Sequence, residues 1–273
     1  GGYVASNPYA NNNRGLVAFA GSGSNSLAGV VGQATALVGQ LPGDLVGSGG
    51  VTPLGNQGYL IKSPNWQSAA GALTWGGATS GVSGLVSTNN SLVGDLSTSN
   101  SNPAYLTVQS LSNGGFLAYS YYWSNGKGAV VWGNPTSGAS GLITSTNALI
   151  GTLASDSVAS GGITILANGN YLVKSQDWDN GSISNAGAIT WGNASLGVTG
   201  FITSANSLVG SSVNDAVGDY QVLGTSGYFL VRSSYWDNAT VVDAGAVTLG
   251  SISTGLTGQI SSSNSLVGST SYD

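Results

Sequence analysis

ITILANGNYLVKSQDWDNGSISNAGAITWG, residues 163–192, reads as three strands separated by turns. ITIL (163–166), YLVKS (171–175) and GAITWG (187–192) are rich in β-branched and aromatic residues and are bounded by Asn, Gly, Asp and Ser. Asn168-Gly169 is a two-residue hairpin signal, because both central positions of a type I′ turn need positive φ. A Gly-rich link follows, then GFITSANSLVG (200–210), whose SLVG (207–210) reads as a fourth strand. No window carries a helical period.

The same template recurs along the chain. The second strand reappears as YLIKS (59–63), FLAYS (116–120) and FLVRS (229–233). The third reappears as GALTWG (71–76), GAVVWG (128–133) and GAVTLG (245–250), and the fourth as SLVG (91–94), ALIG (148–151) and SLVG (265–268). Every tryptophan marks one of two positions in this repeat. Trp66, Trp123, Trp178 and Trp236 are 57, 55 and 58 residues apart, and Trp75, Trp132 and Trp191 are 57 and 59 apart, with Leu249 58 further on. The first copy has GYVAS (2–6), GLVAFA (15–20) and ALVG (36–39), with Tyr9 and Phe19 at the two tryptophan positions. A single repeat domain over 1–273 is expected, with units of about 1–46, 47–101, 102–159, 160–218 and 219–273. The first unit lacks its opening strand, and the whole comes to about 19 strands.

Composition narrows the chemistry. The chain of 273 residues holds 45 Gly and no Cys, Met, His or Glu; its net charge is −5 and only 5% of residues are charged. Five scattered cations (Arg14, Lys62, Lys127, Lys174 and Arg232) make no nucleic-acid footprint. Thiolate and imidazole metal sites and disulfides are excluded. No apolar run is long enough for a membrane-spanning helix, and no signal peptide is visible at GGYVAS. A hydrophobic fraction of 41% sets the chain apart from disordered segments.

Hairpins and a period of 55–59 residues favour an all-β chain, a β-propeller of five four-stranded repeats, over a parallel solenoid with its shorter coils. YLVKSQDW with GAITWG, and FLVRSSYW with GAVTLG, resemble the blade of integrin-type FG-GAP propellers. LGNQG, LSNGG, LANGN and LGTSG stand where that family carries its calcium loop, so no calcium site is carried across. WDNGSISNAGAITWG (178–192) also resembles tandem repeats of large bacterial surface proteins of the filamentous-haemagglutinin type, a resemblance that implies an exported, adhesin-like or fibre-forming protein and no activity.

Five groups of residues are candidates for a role. Trp66, Trp123, Trp178 and Trp236 follow the second strand; they either cap their blades or form a ring of loop aromatics that stacks on sugars. Phe19, Trp75, Trp132, Trp191 and Leu249 lie inside the third strand and are expected in the core. Asp44, Asp156, Asp215 and Asp273, each five residues after a closing Gly, are expected as turn or cap residues. Lys62, Lys174 and Arg232 share one strand position and are either edge charges or partners of that Asp row. Asp177 and Asp179 flank Trp178, a pairing that glycoside hydrolysis would use, but Gln67 and Ser124 replace Asp179 in other copies. No catalytic residue, metal or cofactor is assigned.

The expectation is an extracellular structural or adhesive repeat protein whose short first copy invites a strand from another copy, giving head-to-tail filaments. The alternative is a surface module binding glycans or proteins; a glycoside hydrolase ranks last. Other copies of the chain are the expected partners, then glycans or surface proteins, with no nucleic acid.

Overall fold

The computed structural model describes residues 2–22, 32–55, 57–224 and 226–273. The chain is all-β, with five sheets of four or five strands, one sheet per repeat. It divides into two compact units, residues 1–118 with 131–143 and residues 119–130 with 144–273. Among the described residues no helix is long and apolar enough to cross a membrane.

Within the first unit, the first sheet runs Tyr3–Asn7, Leu16–Ala20, Ala36–Val38 and Gly84–Leu85. The second runs Val51–Pro53, Gly58–Ser63, Ala72–Gly77, Ser91–Val93 and Gly141–Leu142. Within the second unit, the fourth sheet runs Ile163–Ile165, Tyr171–Ser175, Ala188–Gly192, Ser207–Val209 and Gly258–Gln259; the fifth runs Asp219–Val222, Tyr228–Ser233, Ala246–Ser251 and Leu266–Val267. In these four sheets neighbours are antiparallel, except that the last strand of the first, second and fourth is parallel to its neighbour.

That parallel strand revises the sequence reading. The Gly-rich link was expected only to connect the third and fourth strands. It instead forms a two-residue strand that joins the sheet of the preceding repeat. Gly84 and Leu85 pair with Leu37 and Val38, Gly141 and Leu142 with Leu92 and Val93, Gly200 and Phe201 with Leu149 and Ile150, and Gly258 and Gln259 with Leu208 and Val209. The leading glycines have φ of 102°, 91°, 102° and 109°, a region that side chains rarely enter. A repeat therefore adds strands to two sheets, and the described residues hold 23 strands where about 19 were expected.

The core lies against the second and third strands. Tyr59, Phe116, Tyr171 and Phe229 open the second strands and are 6%, 1%, 0% and 0% exposed. Tyr59, Tyr171 and Phe229 each face a glycine across the hairpin, Gly76, Gly192 and Gly250, and a Cβ at any of these would fall within 2.4 Å of the ring. The bare backbone is the floor on which the ring lies. Beside this row, hydroxyl pairs tie the third strand to the closing strand: Thr74 to Ser91 at 2.6 Å, Thr190 to Ser207 at 2.6 Å and Thr248 to Ser265 at 2.7 Å. Mutual bonding is what lets these hydroxyls be buried.

After the second strand the first three repeats make short turns, Ala10–Asn13, Trp66–Ala69 and Trp123–Gly126. Their inner residues are left-handed: Asn11 has φ 52° and ψ 58°, and Gln67 has φ 46° and ψ 62°. They reverse the chain and are not amphipathic helices, in keeping with the missing helical period.

Candidate functional site: the junction between repeats

The residues singled out in the sequence converge where one repeat meets the next. Trp66, Trp123, Trp178 and Trp236 are each 4% exposed. The structure thus buries the rings considered for sugar stacking. Trp66, of the second repeat, packs in one cluster with Val17, Leu37 and Val46 of the first. Trp236, of the fifth, packs with Ile189, Leu208 and Val217 of the fourth, and its indole N–H donates to Ser211 Oγ at 3.2 Å. In both junctions the ring is a plug seated in a socket built from both repeats. Burying so large a plate removes much apolar surface from water, which drives the two repeats together.

The aspartate row closes the socket. Asp44 Oδ2 accepts the N–H groups of Gln40 and Leu41 at 2.7 and 2.8 Å, and its Oδ1 accepts the N–H of Gln67, the residue after Trp66, at 2.9 Å. Asp156 accepts from Thr152 and Leu153 and reaches Asp179 N, after Trp178, at 3.2 Å. Asp215 accepts from Ser211 and Ser212 at 2.7 and 2.8 Å and from Asp237 N, after Trp236, at 3.1 Å. One oxygen shapes the loop of its own repeat while the other fixes the plug of the next. These carboxylates are nearly fully buried, at 1%, 0% and 1% exposure. Burial pushes the Asp215 carboxyl above the usual carboxylate range, against the amides of Ser211, Ser212 and Asp237. Asp273 caps the amides of Ser269 and Thr270 and its carboxyl is exposed; the Thr270 hydroxyl and these amides hold it below the usual range. The second repeat carries Ser99 at this register. Its Asp95 lies exposed and accepts from Ser97, while Asn102 bonds the carbonyls of Pro64 and Ala69.

The third-strand row is also divided between repeats. Phe19, Trp75, Trp132 and Trp191 are half-buried. A Cβ added at Gly81 would lie 2.6 Å from Phe19, one at Gly138 2.4 Å from Trp75 and one at Gly255 2.6 Å from Trp191. In each pair the glycine belongs to the following repeat and seats its backbone on the ring. Trp191 also donates its indole N–H to Ile252 O at 3.0 Å. Leu249, expected in the core with this row, is 56% exposed.

The remaining charged candidates serve local structure. Asp179 Oδ2 accepts from Ser155 Oγ at 2.7 Å and its Oδ1 from Asn185 N at 2.7 Å, and Asp237 Oδ1 accepts from Asp243 N at 2.9 Å. Arg232 pairs across the hairpin with Asp219 at 2.9 Å rather than with the Asp row. Lys62 Nζ donates to Leu106 O at 3.5 Å. Among the described residues no group of three or more acidic, His or Cys residues is placed to hold a metal ion.

Two parts of the junction were not singled out in the sequence: the strand that each link lends to the preceding sheet, and the Tyr59, Phe116, Tyr171 and Phe229 row. The aromatic opening the second strand in every copy was a usable signal for the latter. The two-residue strand left only a glycine seven residues ahead of each closing strand.

No curated protein matches the chain. A family profile described as a repeat of unknown function (DUF5650) matches it five times, at residues 1–48, 53–102, 110–160, 165–219 and 224–273. This supports a tandem-repeat protein and does not extend to the FG-GAP or filamentous-haemagglutinin resemblances. Five matches over nearly the whole length place the chain in that repeat family.

Proposed function

We propose that the chain is a structural repeat protein of a cell surface, a propeller-like slice of an array whose blades are clasped in series. One observation carries this reading. The groups best suited to chemistry or recognition, the buried tryptophans and aspartates, are committed to joining one repeat to the next. The low charge and the absence of thiols and thioethers suit a protein that endures outside a cell. The FG-GAP and filamentous-haemagglutinin resemblances point the same way, and the reading includes no catalytic step. Antibodies raised against the chain and applied to intact source cells test it. Surface labelling is the expected result; labelling only after permeabilisation would sink the proposal.

A second reading, a glycan-binding surface, draws on Tyr121 and Tyr122, whose exposed rings lie 4.0 Å apart. Such plates stack on sugar faces. A glycan array bound by the chain and lost on Tyr122→Ala would favour it; an array without hits would remove it.

A further inference from the structure

We propose that Tyr121 and Tyr122 form a site of oxidative phenol coupling, at which peroxide and a haem peroxidase join two copies of this chain through the Tyr122 rings. The two rings lie 4.0 Å apart between centroids and are tilted by 38°. That is closer than the roughly 4.5–7 Å usual for aromatic pairs. They are 39% and 61% exposed. The backbone beneath them is fixed. Tyr122 N donates to Ser120 Oγ at 3.2 Å, Tyr122 O accepts from Gly126 N at 3.1 Å, and Trp123, next in the chain, is 4% exposed. Asn7 and Pro8, Pro64 and Asn65, Gln176 and Asp177, and Ser234 and Tyr235 stand at this register in the other repeats, so the third repeat alone places two phenols there.

Composition leaves phenols as the oxidisable groups at the surface. The chain has no Cys, Met or His, so no thiol or thioether competes for the oxidant. Trp66, Trp123, Trp178 and Trp236 are buried, and Trp75, Trp132 and Trp191 are half-buried. Tyr9, Tyr105, Tyr235 and Tyr272 are as exposed as Tyr122 or more, but among the described residues none of them stacks on a second ring. The Tyr121 and Tyr122 hydroxyls are hydrogen-bonded, which holds the Tyr121 phenol above its usual range. That bond gives the phenolic proton a place to go as the electron leaves, and the touching rings share the electron deficit. The pair therefore gives up an electron before the single phenols do.

The step balances with one peroxide. Each of two copies gives up one electron and one phenolic proton, and the peroxide is reduced to two waters. The two radicals join by a carbon–carbon bond ortho to each hydroxyl. The hydrogen on each of those carbons then moves to its oxygen, which restores both phenols. The partner is a second copy, because the site that oxidises first on one copy oxidises first on every copy, and radicals couple with radicals. Closure between Tyr121 and Tyr122 within one copy is disfavoured. Unbonded rings reach 4.0 Å only one over the other, whereas the new bond needs them edge to edge.

A limiting dose of hydrogen peroxide with a haem peroxidase, applied to the intact chain, tests this. The expected product is a covalent dimer on a denaturing gel, with dityrosine fluorescence. Its linked peptides carry Tyr122 from both copies and weigh two hydrogens less than their sum. Tyr122→Phe is expected to abolish that dimer at the same dose, Tyr121→Phe to slow it and Tyr105→Phe to leave it unchanged. Melting before oxidation confirms that each variant is folded. The proposal is overturned by the absence of a covalent dimer, by first links that map to other tyrosines, or by a link closed within one copy. Undiminished coupling in Tyr122→Phe or Tyr121→Phe overturns it equally. The coupling goes beyond both readings above and requires neither a cell surface nor a glycan, so its failure leaves each of them to its own test.

Discussion

Asp215 of the fourth repeat accepts the backbone N–H of Asp237 in the fifth at 3.1 Å, while its other oxygen holds two amides of its own loop. A carboxylate has acceptor sites to spare for all three. An amide does not, since its NH₂ would face either the loop donors or the donor across the junction. Asp215→Asn is therefore expected to lower stability by about 1–3 kcal/mol, the cost of stranding a buried donor. Urea unfolding measures it. Asp95→Asn, exposed and bonded only near itself, serves as the control and should leave the midpoint unchanged.

The plug is expected to be the most costly single residue of a junction. Trp66→Ala empties a socket lined by Val17, Leu37 and Val46 and should cost about 3–5 kcal/mol. Trp75→Ala, which removes a half-buried ring, should cost less. Equal losses in thermal unfolding would contradict the placement of the two rows.

Thr190 and Ser207 test the buried hydroxyl pairs. They bond at 2.6 Å, and Ser207 also reaches Asn206 Oδ1 at 3.0 Å. Ser207→Ala strands the Thr190 hydroxyl and should cost about 1–3 kcal/mol. Thr190→Val leaves Ser207 its Asn206 partner and should cost less. The double variant is expected to recover part of the Ser207→Ala loss in a double-mutant cycle.

Glycine contact can be separated from glycine strain. Gly138 has φ of 70° and sits on the Trp75 ring, while Gly43 has φ of 93° and faces open space. Alanine strains the backbone at both. Only Gly138→Ala also drives a Cβ into Trp75, so it should destabilise more, and equal melting points would contradict the ring contact.

The buried tyrosines predict an alkaline limit. Burial pushes the Tyr59 phenol up to about 12, and burial raises Tyr171 also. The folded value lies above the unfolded one, near 10. The stabilising contribution is therefore complete below pH 10 and is lost as pH rises toward 12. Melting points followed through this window should fall, and Tyr59→Phe should flatten the fall. An unchanged slope would contradict the assignment to Tyr59.

Strands and period were legible because they are local. YLVKS, GAITWG and SLVG carry β-branched and aromatic residues between turn formers, and the tryptophans count the repeats. The aspartates were legible as caps through their fixed place after the closing glycine. Their second bond, to Gln67 or Asp237, was not, because it spans 23 or 22 residues and is donated by backbone, which has no sequence identity. The parallel strand escaped for a similar reason: two residues leave no alternation to read, and a parallel neighbour needs no turn signal. Leu249 shows the limit of periodic reasoning. It shares the register of Trp191, but the ring of Trp191 is covered by Gly255 of the next repeat, and Leu249 is 56% exposed.

The strand lent by each link has an evolutionary consequence. Leu92 meets Gly141 and Leu149 meets Gly200 in one shared register. Loss of a whole period in DNA, such as the one encoding 160–218, would therefore bring Leu149 opposite Gly258 in that register, with Asp156 left to accept from Asp237 as Asp215 does. Duplication would do the same in reverse. Copy number can drift by recombination with no compensating substitution, whereas a slip of a single residue in a link moves the glycine off the one position that tolerates its backbone. Lineages carrying this repeat are expected to differ in number of units far more readily than in the length of any link.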